Sequence, residues 1–581
     1  MYELYAMFPF EQVEKNSRVI IYGAGRAGLN FARQAGRYCQ IVCLVDKDER
    51  KHNSAIKGLE KLKDETSYDY IVISQINFAI RRRIKEDLIK LGVSASKIIL
   101  PEDDNLMYWS LDGMMQNTID GVKEKDAELI EMNARELVSA DRLDIGIKWL
   151  LIRDIMNNVD NAENKSLYTR HILAWTQGKE GFMPSSGRIK DGVIEYINEA
   201  KRLVENIKEN GYDKTKPVPV SVDFEPLDGV HRIASCIEAD ECIWIKKCPG
   251  LKPDIKNYKW YIDNGFSTDD MLRIYRAFCD LYQGNYGIAV LFGPAIDMWN
   301  FIVKQMENHF KVVGYVDLDF ESNYIAYETL INEMYFYKWE YHNDNIDNKI
   351  SLLKLASLKL RVVILSDENS NGKNLFGEMK EFKLLMRDST FFDFNDIELQ
   401  IHSSDNQIEA NHLAKVFLSP NNLNVIRHRF RNTYRKKFID NIVLLKKRVM
   451  EAEIPLDDVV VVNSAVLEAL GIRESKDIDI ICRPEQRSRL LDKGLDADSW
   501  LYSAQDVLKF INDDNCYFMF NGLKFLNLEY IKDKKIKHGR KKDIEDLRLI
   551  DLYNELVMVY DERRFLREGM LEEIKRRRMN K

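Results

Sequence analysis

The sequence has no C-x-x-C pair, no run approaching the roughly 18 consecutive apolar residues of a membrane span, and no excess of positive charge. Each absence removes a class of function. The eight cysteines stand apart at 39, 43, 236, 242, 248, 279, 482 and 516 with no zinc-like spacing, so buried free thiols are expected. Cys236, Cys242 and Cys248 recur every six residues, yet one falls in an expected helix and the others flank an expected strand, which does not build a metal site. With 86 basic against 93 acidic residues the net charge is -7, so no global field draws nucleic acid to the chain. The opening MYELYAMFPFEQVEKNSRVI has no basic segment leading into a long apolar one. A cytoplasmic protein with no membrane insertion and no nucleic-acid partner is the expectation.

What is present is ordinary globular material, 45% hydrophobic and 31% charged, in a chain of 581 residues that is too long for one core. At about 150 residues per domain, three or four domains are expected. The pattern divides the chain at 1–105, 136–255, 285–420 and 455–560, with a polar connector over 102–134.

At the front, Arg18-Val-Ile-Ile-Tyr22 reads as a strand that runs into Gly23-Ala-Gly25-Arg-Ala-Gly28 and then a helical stretch. In that context Gly23 permits the tight turn, Gly25 lets backbone approach a pyrophosphate, Gly28 lets helix and strand pack closely, and the helix N-terminus offers N–H groups to an anion. A second strand, Gln40–Val45, ends in Asp46, about twenty residues on, where a carboxylate can hold ribose hydroxyls. Further strands at Tyr70–Ser74 and Lys97–Leu100 with a helix at Phe78–Leu91 between them give parallel βαβ units. The segment resembles the small Rossmann modules attached to bacterial polysaccharide-biosynthesis and sugar-modifying enzymes, with YGAG-x-x-G followed by VD. That resemblance implies NAD or a nucleotide sugar as ligand, and the competing reading is a glycine turn that binds nothing.

In the middle, a long amphipathic stretch from Gly192 to Asn210 stops at Gly211, and Pro217–Val222 alternates as a strand. It leads into Leu227-Asp228-Gly229-Val230-His231-Arg232 and a helical IASCIEA. A glycine, a histidine and an arginine at a helix start suit phosphate. Residues 190–247 resemble the ParB/sulfiredoxin-like fold, whose members bind nucleotides at such a turn and some of which are small-molecule kinases. Val230 occupies the place of the sulfiredoxin cysteine, so the resemblance implies kinase-like chemistry, with His231 and Arg232 on phosphate and Asp228, Asp191 or Glu195 as the carboxylate that takes the substrate proton. The plain alternative is that Asp228, His231 and Arg232 brace a βα turn.

A third block carries expected strands at Gly287–Phe292, Val312–Asp317 and Leu360–Leu365 around a helix at Ile296–Phe310, a second α/β unit without a dinucleotide fingerprint. His402, Asp405, Glu409 and His412 could meet as a metal site if the loop folds back on its helix, although a capped helix start accounts for the same residues.

Residues 424–450 are basic and helical and read as a solvated face. After them come a strand at Val459–Val462, a helix at Ser464–Leu470 and a strand at Asp477–Ile481 with carboxylates at i and i+2, which alternation places on one face. Two such carboxylates can hold Mg²⁺ against triphosphate oxygens. Asn463-Ser464 before a helix, Asp477-x-Asp479 after it and Lys542-Asp543-Ile-Glu-Asp546 further on resemble the nucleotidyltransferase superfamily. That implies Asp477 and Asp479 as catalytic metal ligands and Ser464 as a nucleotide contact. Asn463 stands where glycine is usual, and the strand expected at Asn521–Leu528 offers no third carboxylate beyond Glu529.

The combined expectation is an α/β and α+β multidomain protein: a Rossmann-type parallel sheet, a ParB/sulfiredoxin-like domain and a nucleotidyltransferase-like domain. Its function would be Mg²⁺-dependent transfer of a phosphoryl or nucleotidyl group from ATP or CTP to a sugar, polyol or glycan precursor, as in surface-polysaccharide biosynthesis. The rival is a non-catalytic nucleotide sensor or scaffold; a nicotinamide-dependent oxidoreductase is disfavoured because no proton donor accompanies the glycine motif.

Overall fold

Short apolar runs at the front of the chain become a parallel sheet. In the computed structural model, β1 (Arg18–Tyr22), β2 (Gln40–Val45), β3 (Ile56–Lys57), β4 (Tyr70–Ile73) and β5 (Ile98–Ile99) lie in the order β3-β2-β1-β4-β5, and every neighbouring pair is parallel. Helices α1 (Arg26–Ala35) and α2 (Phe78–Lys90) connect them. Alternation splits β1 between two cores: Val19 and Ile21 pack with Phe8 and Phe31, while Ile20 and Tyr22 pack with Ile84 and Leu88. Both faces of the sheet are thus covered, as parallel strands require.

The structure describes residues 2–6, 8–36, 38–75, 78–101, 106–110, 129–176, 184–185, 188–189, 192–248, 253–320, 323–336, 344–354, 357–368, 374–388, 400–429, 434–495, 497–498 and 502–579. Most of the expected connector at 102–134 lies outside them. Two compact units are present, Met1–Lys256 and Asn257–Lys581.

The first unit continues with β6 (Leu129–Asn133), α3 (Asp144–Met156), α4 (Ala162–Thr176), α5 (Val193–Asn210), β7 (Val218–Val220), α6 (Val230–Ala239) and β8 (Cys242–Lys247). β8 is central, parallel to β7 and antiparallel to β6. The amphipathic stretch becomes α5 and ends at Gly211, whose φ of 72° leaves the helical region.

In the second unit, β9 (Tyr286–Phe292), β10 (Lys311–Asp319), β11 (Lys359–Ser366) and β12 (Ile401–Ser403) form a sheet in the order β10-β11-β9-β12. The expected strands are present, but every pairing is antiparallel, so the block is not assembled from parallel βαβ crossovers. Strand content is legible from apolar runs; strand direction is not.

The last part holds α7 (Lys436–Glu451), β13 (Val459–Val462), α8 (Ser464–Ala469), β14 (Asp479–Cys482), α9 (Ala504–Asn512), β15 (Tyr517–Phe520), β16 (Leu523–Leu526), α10 (Leu528–His538) and α11 (Lys541–Met579). Its sheet runs β14-β13-β16-β15. All four valines of β13 are buried, each worth about 1.5–3 kcal/mol of apolar burial. The strand expected at Asn521–Leu528 begins instead at Leu523, because Asn521 (φ 48°) and Gly522 (φ 72°) make the turn of a β15–β16 hairpin.

The basic stretch 424–450 is not wholly a solvated face. Arg429 and Lys446 are buried: Lys446 donates to the carbonyls of Phe336 (2.8 Å) and Asn521 (3.1 Å), and Arg429 stands 3.7 Å from Glu333. Glu333 in turn accepts the N–H groups of Asn521 and Gly522, so these charges tie the hairpin to the preceding helical layer.

Candidate active site

β13 leaves the sheet at Asn463, whose φ of 58° and ψ of -132° are a conformation that glycine adopts most easily. Asparagine therefore supplies a turn that glycine would make more easily, and its side chain gains a role. Antiparallel pairing sets Asp479, the first residue of β14, opposite Val462. The Asn463 Nδ2 amide donates to Asp479 Oδ2 at 2.9 Å and to Asp498 Oδ2 at 3.1 Å.

Asp498 is a further carboxylate beside Asp479 that the sequence pattern did not display. It is delivered by a single parallel bridge between Ala497 and Ile480, too short to give any alternation. Asp477 lies just before β14 and not within it, so the i, i+2 argument for a common face does not apply to it directly. Electrostatics still couples the three: burial raises the half-buried Asp479 carboxyl above its ordinary range, Asn463 opposes this, and the charges of Asp477 and Asp498 add to the rise. Lys534 on α10 is lowered by burial and held up by Asp498 and Asp479, and it donates to the Tyr502 hydroxyl at 3.0 Å. Ser464 opens α8 immediately after the bridging amide.

Among the described residues, no group of three or more His, Cys, Asp or Glu stands close enough together to hold a metal ion. A Mg²⁺ site need not be closed, since this ion commonly takes one or two carboxylates and completes its shell with water and substrate phosphates. A carboxylate that neighbouring negative charge makes harder to ionise, as at Asp479, is a donor that a hard divalent cation would relieve.

The Lys542–Asp546 segment is structural in its contacts. Asp546 accepts from Arg473 (2.5 and 2.7 Å) and Lys535 (2.6 Å), and Asp543 accepts from Arg540 at 2.6 Å and Lys535 at 3.4 Å. Burial would raise Asp543, but these cations bring it down to about 2. They lock α10 to α11, and α10 carries Lys534.

In the middle domain Gly229 takes φ 79° at the head of α6, and a Cβ there would sit 2.8 Å from Arg232 Nη2 and 3.0 Å from Val218 Cγ2. His231 Nε2 lies 2.7 Å from the Tyr168 hydroxyl, and Arg232 donates to the Lys216 carbonyl at 2.6 Å. Asp228 adds its charge to the surroundings of Lys148. Behind them is an ion cluster that sequence reasoning missed: Asp144 accepts from Arg142 at 3.0 and 3.1 Å and from Lys148 at 2.8 Å, all buried. The Arg142-x-Asp144 and i, i+4 Asp144–Lys148 spacings were its available signal. Glu195 sits in the first turn of α5, and Asp191 lies outside the described residues.

In the front module Gly23 has φ 104°, a Cβ on Gly28 would fall 1.7 Å from the Gly23 carbonyl oxygen, and a Cβ on Gly25 would meet nothing within 4 Å. Gly23 and Gly28 are thus needed for different reasons, the turn and the packing, whereas the space around Gly25 is open. Asp46 fastens this loop through its Oδ2, which accepts the Ala24 N–H at 2.8 Å and the Lys51 ammonium at 3.0 Å, while its Oδ1 accepts the Asp48 N–H at 2.9 Å. Burial pushes this carboxyl up, and those donors outweigh it and hold it below its usual range.

Residues 15–99 match the family described as C2185-like, N-terminal. No curated protein and no solved structure matches the chain. The matched segment ends with the last strand of the parallel sheet and takes in Gly23, Gly25, Gly28 and Asp46.

The four residues of the third block do not make one centre. His402 Nε2 pairs with Glu409 Oε1 at 3.0 Å, Glu409 Oε2 accepts the Asp405 N–H at 2.8 Å, and His412 turns away to the Glu333 carbonyl at 2.6 Å. Asn406 caps the helix by accepting the Glu409 N–H at 2.9 Å, and Glu409 ties the preceding loop to it. Of the eight cysteines, only Cys242 is exposed, and no described helix is long and apolar enough to cross a membrane.

Proposed function

We propose that this protein is a Mg²⁺-dependent nucleotidyltransferase that moves a nucleotidyl group from ATP or CTP to a sugar, polyol or other glycan precursor, with the C-terminal domain as its catalytic part. The observation that carries this is the single Asn463 amide that holds Asp479 and Asp498 together, with the charges of Asp477 and Lys534 acting on the same group. In this reading Asp477 and Asp479 would hold Mg²⁺, which supplies charge neutralisation along the triphosphate, and Asp498 adds negative charge beside Asp479. Lys534 offers a cation next to the same oxygens, and Asn463 orients two of the carboxylates. The C2185-like segment serves as an accessory nucleotide or nucleotide-sugar module, its glycine loop held ready by Asp46.

The test is release of pyrophosphate by the full chain with Mg²⁺, ATP or CTP and a panel of sugar and polyol acceptors. Asp477→Asn with Asp479→Asn, and Asp498→Asn separately, are each expected to abolish it. Turnover that survives all three would remove the assignment. A second reading, nucleotide sensing without turnover, is favoured by one observation at the Asp228–Arg232 turn: His231 and Arg232, the residues expected on phosphate, point to Tyr168 and Lys216. If phosphoryl transfer occurs there instead, His231→Ala abolishes ATP consumption while the Asp477/Asp479 variant leaves it intact.

A further inference from the structure

Helix α11 is fixed to the rest of its unit along one side. Ile550 is fully buried, the Tyr553 hydroxyl donates to the His428 carbonyl at 3.3 Å, and the Tyr560 ring packs edge-on to His428. A different side presents Leu552, Leu556 and Val559 at 53%, 52% and 43% exposure. Their i, i+4, i+7 spacing makes one stripe on a helix turning 100° per residue.

The sequence extends the spacing through Leu566, Met570 and Ile574, with Arg563 at the centre. Leu552 and Ile574 stand 11 positions either side of Arg563, Leu556 and Met570 stand 7, and Val559 and Leu566 stand 4 and 3. Charge is opposed about the same point. Asp551–Glu562 holds four carboxylates and no Lys or Arg, a net of -4, whereas Arg563–Arg578 holds seven basic and three acidic residues, a net of +4.

We propose that α11 pairs antiparallel with α11 of a second copy of this chain, on a two-fold axis at Arg563. The antiparallel arrangement sets each apolar position opposite another and lays the acidic half of one helix against the basic half of the other. A parallel pair would match acid with acid and base with base, which is unfavourable. The interface is isologous, so it closes on two chains.

Sedimentation velocity of the full chain over about 1–100 µM is expected to show a monomer–dimer equilibrium that shifts toward monomer as salt rises. Leu552→Glu with Leu556→Glu is expected to give monomer at every concentration with unchanged far-UV circular dichroism and melting. Orientation is read by oxidative cross-linking in a Cys242→Ser background. A mixture of Leu552→Cys and Ile574→Cys chains is expected to link across the pair, while Leu552→Cys alone does not link to itself. A chain that stays monomeric, a dimer that survives the double glutamate substitution, self-linking of Leu552→Cys, or no link in the mixture each overturns the proposal.

Discussion

The Asn463 amide stands 2.9 Å from the Asp479 carboxylate, and the same nitrogen reaches Asp498. Asn463 also has a φ of 58°, so one residue meets a backbone demand and a side-chain demand at once, and substitution separates them. Asn463→Gly keeps the backbone and loses the amide; Asn463→Ala loses both and is expected to cost about 1–3 kcal/mol more than the glycine variant. Asn463→Asp keeps the shape but places a charge against two carboxylates and is expected to abolish nucleotidyl transfer. Urea unfolding and pyrophosphate release read the two effects independently; an alanine variant as stable as the glycine one would remove the positive-φ argument.

The glycines of the front module give a second separation. Gly28→Ala puts a methyl 1.7 Å from a carbonyl oxygen, which the β1–α1 packing cannot absorb, and about 2 kcal/mol or more of stability is expected to be lost. Gly25→Ala meets open space at an ordinary φ of -81°, and stability is expected to change by less than about 0.5 kcal/mol. Any effect there belongs to ligand approach. Hydrogen exchange over residues 15–99, with and without nucleotide, checks both: protection falls in the Gly28 variant alone, and nucleotide-induced protection falls in the Gly25 variant.

The Lys542–Asp546 motif divides in the same way. Asp546 is buried between Arg473 and Lys535, so Asp546→Asn weakens the compensation of two cations and is expected to cost about 3 kcal/mol. Lys542 is exposed, and Lys542→Ala is expected to change stability by less than about 0.5 kcal/mol. Equal destabilisation by the two would contradict the ion-pair account.

Local order was the legible part of this sequence. β1, β2 and β13 fall where apolar runs and glycines place them, because strand burial and tight turns are written in consecutive residues. Asp498 was invisible because one bridged residue, Ala497, brings it to Asp479, and a single bridge has no period. The antiparallel pairing of β9 with β11 was equally hidden, since direction depends on how distant segments meet. The inward turn of Arg429 and Lys446 is hidden for the same reason: their partners Glu333 and Phe336 lie about a hundred residues earlier.

Acid should destabilise both units through two buried histidines. Burial, reinforced by Lys148, lowers His171 to about 3. Burial likewise lowers His412 to about 4, although the Glu333 carbonyl opposes it. An unfolded histidine titrates near 6.5, so between that value and these folded ones the unfolded chain binds more protons than the folded one. Stability is therefore fully present above about pH 6.5 and falls as pH drops below it, by up to about 1.4 kcal/mol per pH unit for each group. At pH 5 each histidine is expected to have removed about 2 kcal/mol relative to pH 7. His171→Phe should flatten the pH dependence of unfolding in the first unit and leave that of the second unchanged, as read by hydrogen exchange at pH 7 and pH 5. A pH dependence of the first unit that survives this substitution would place the sensitive group elsewhere.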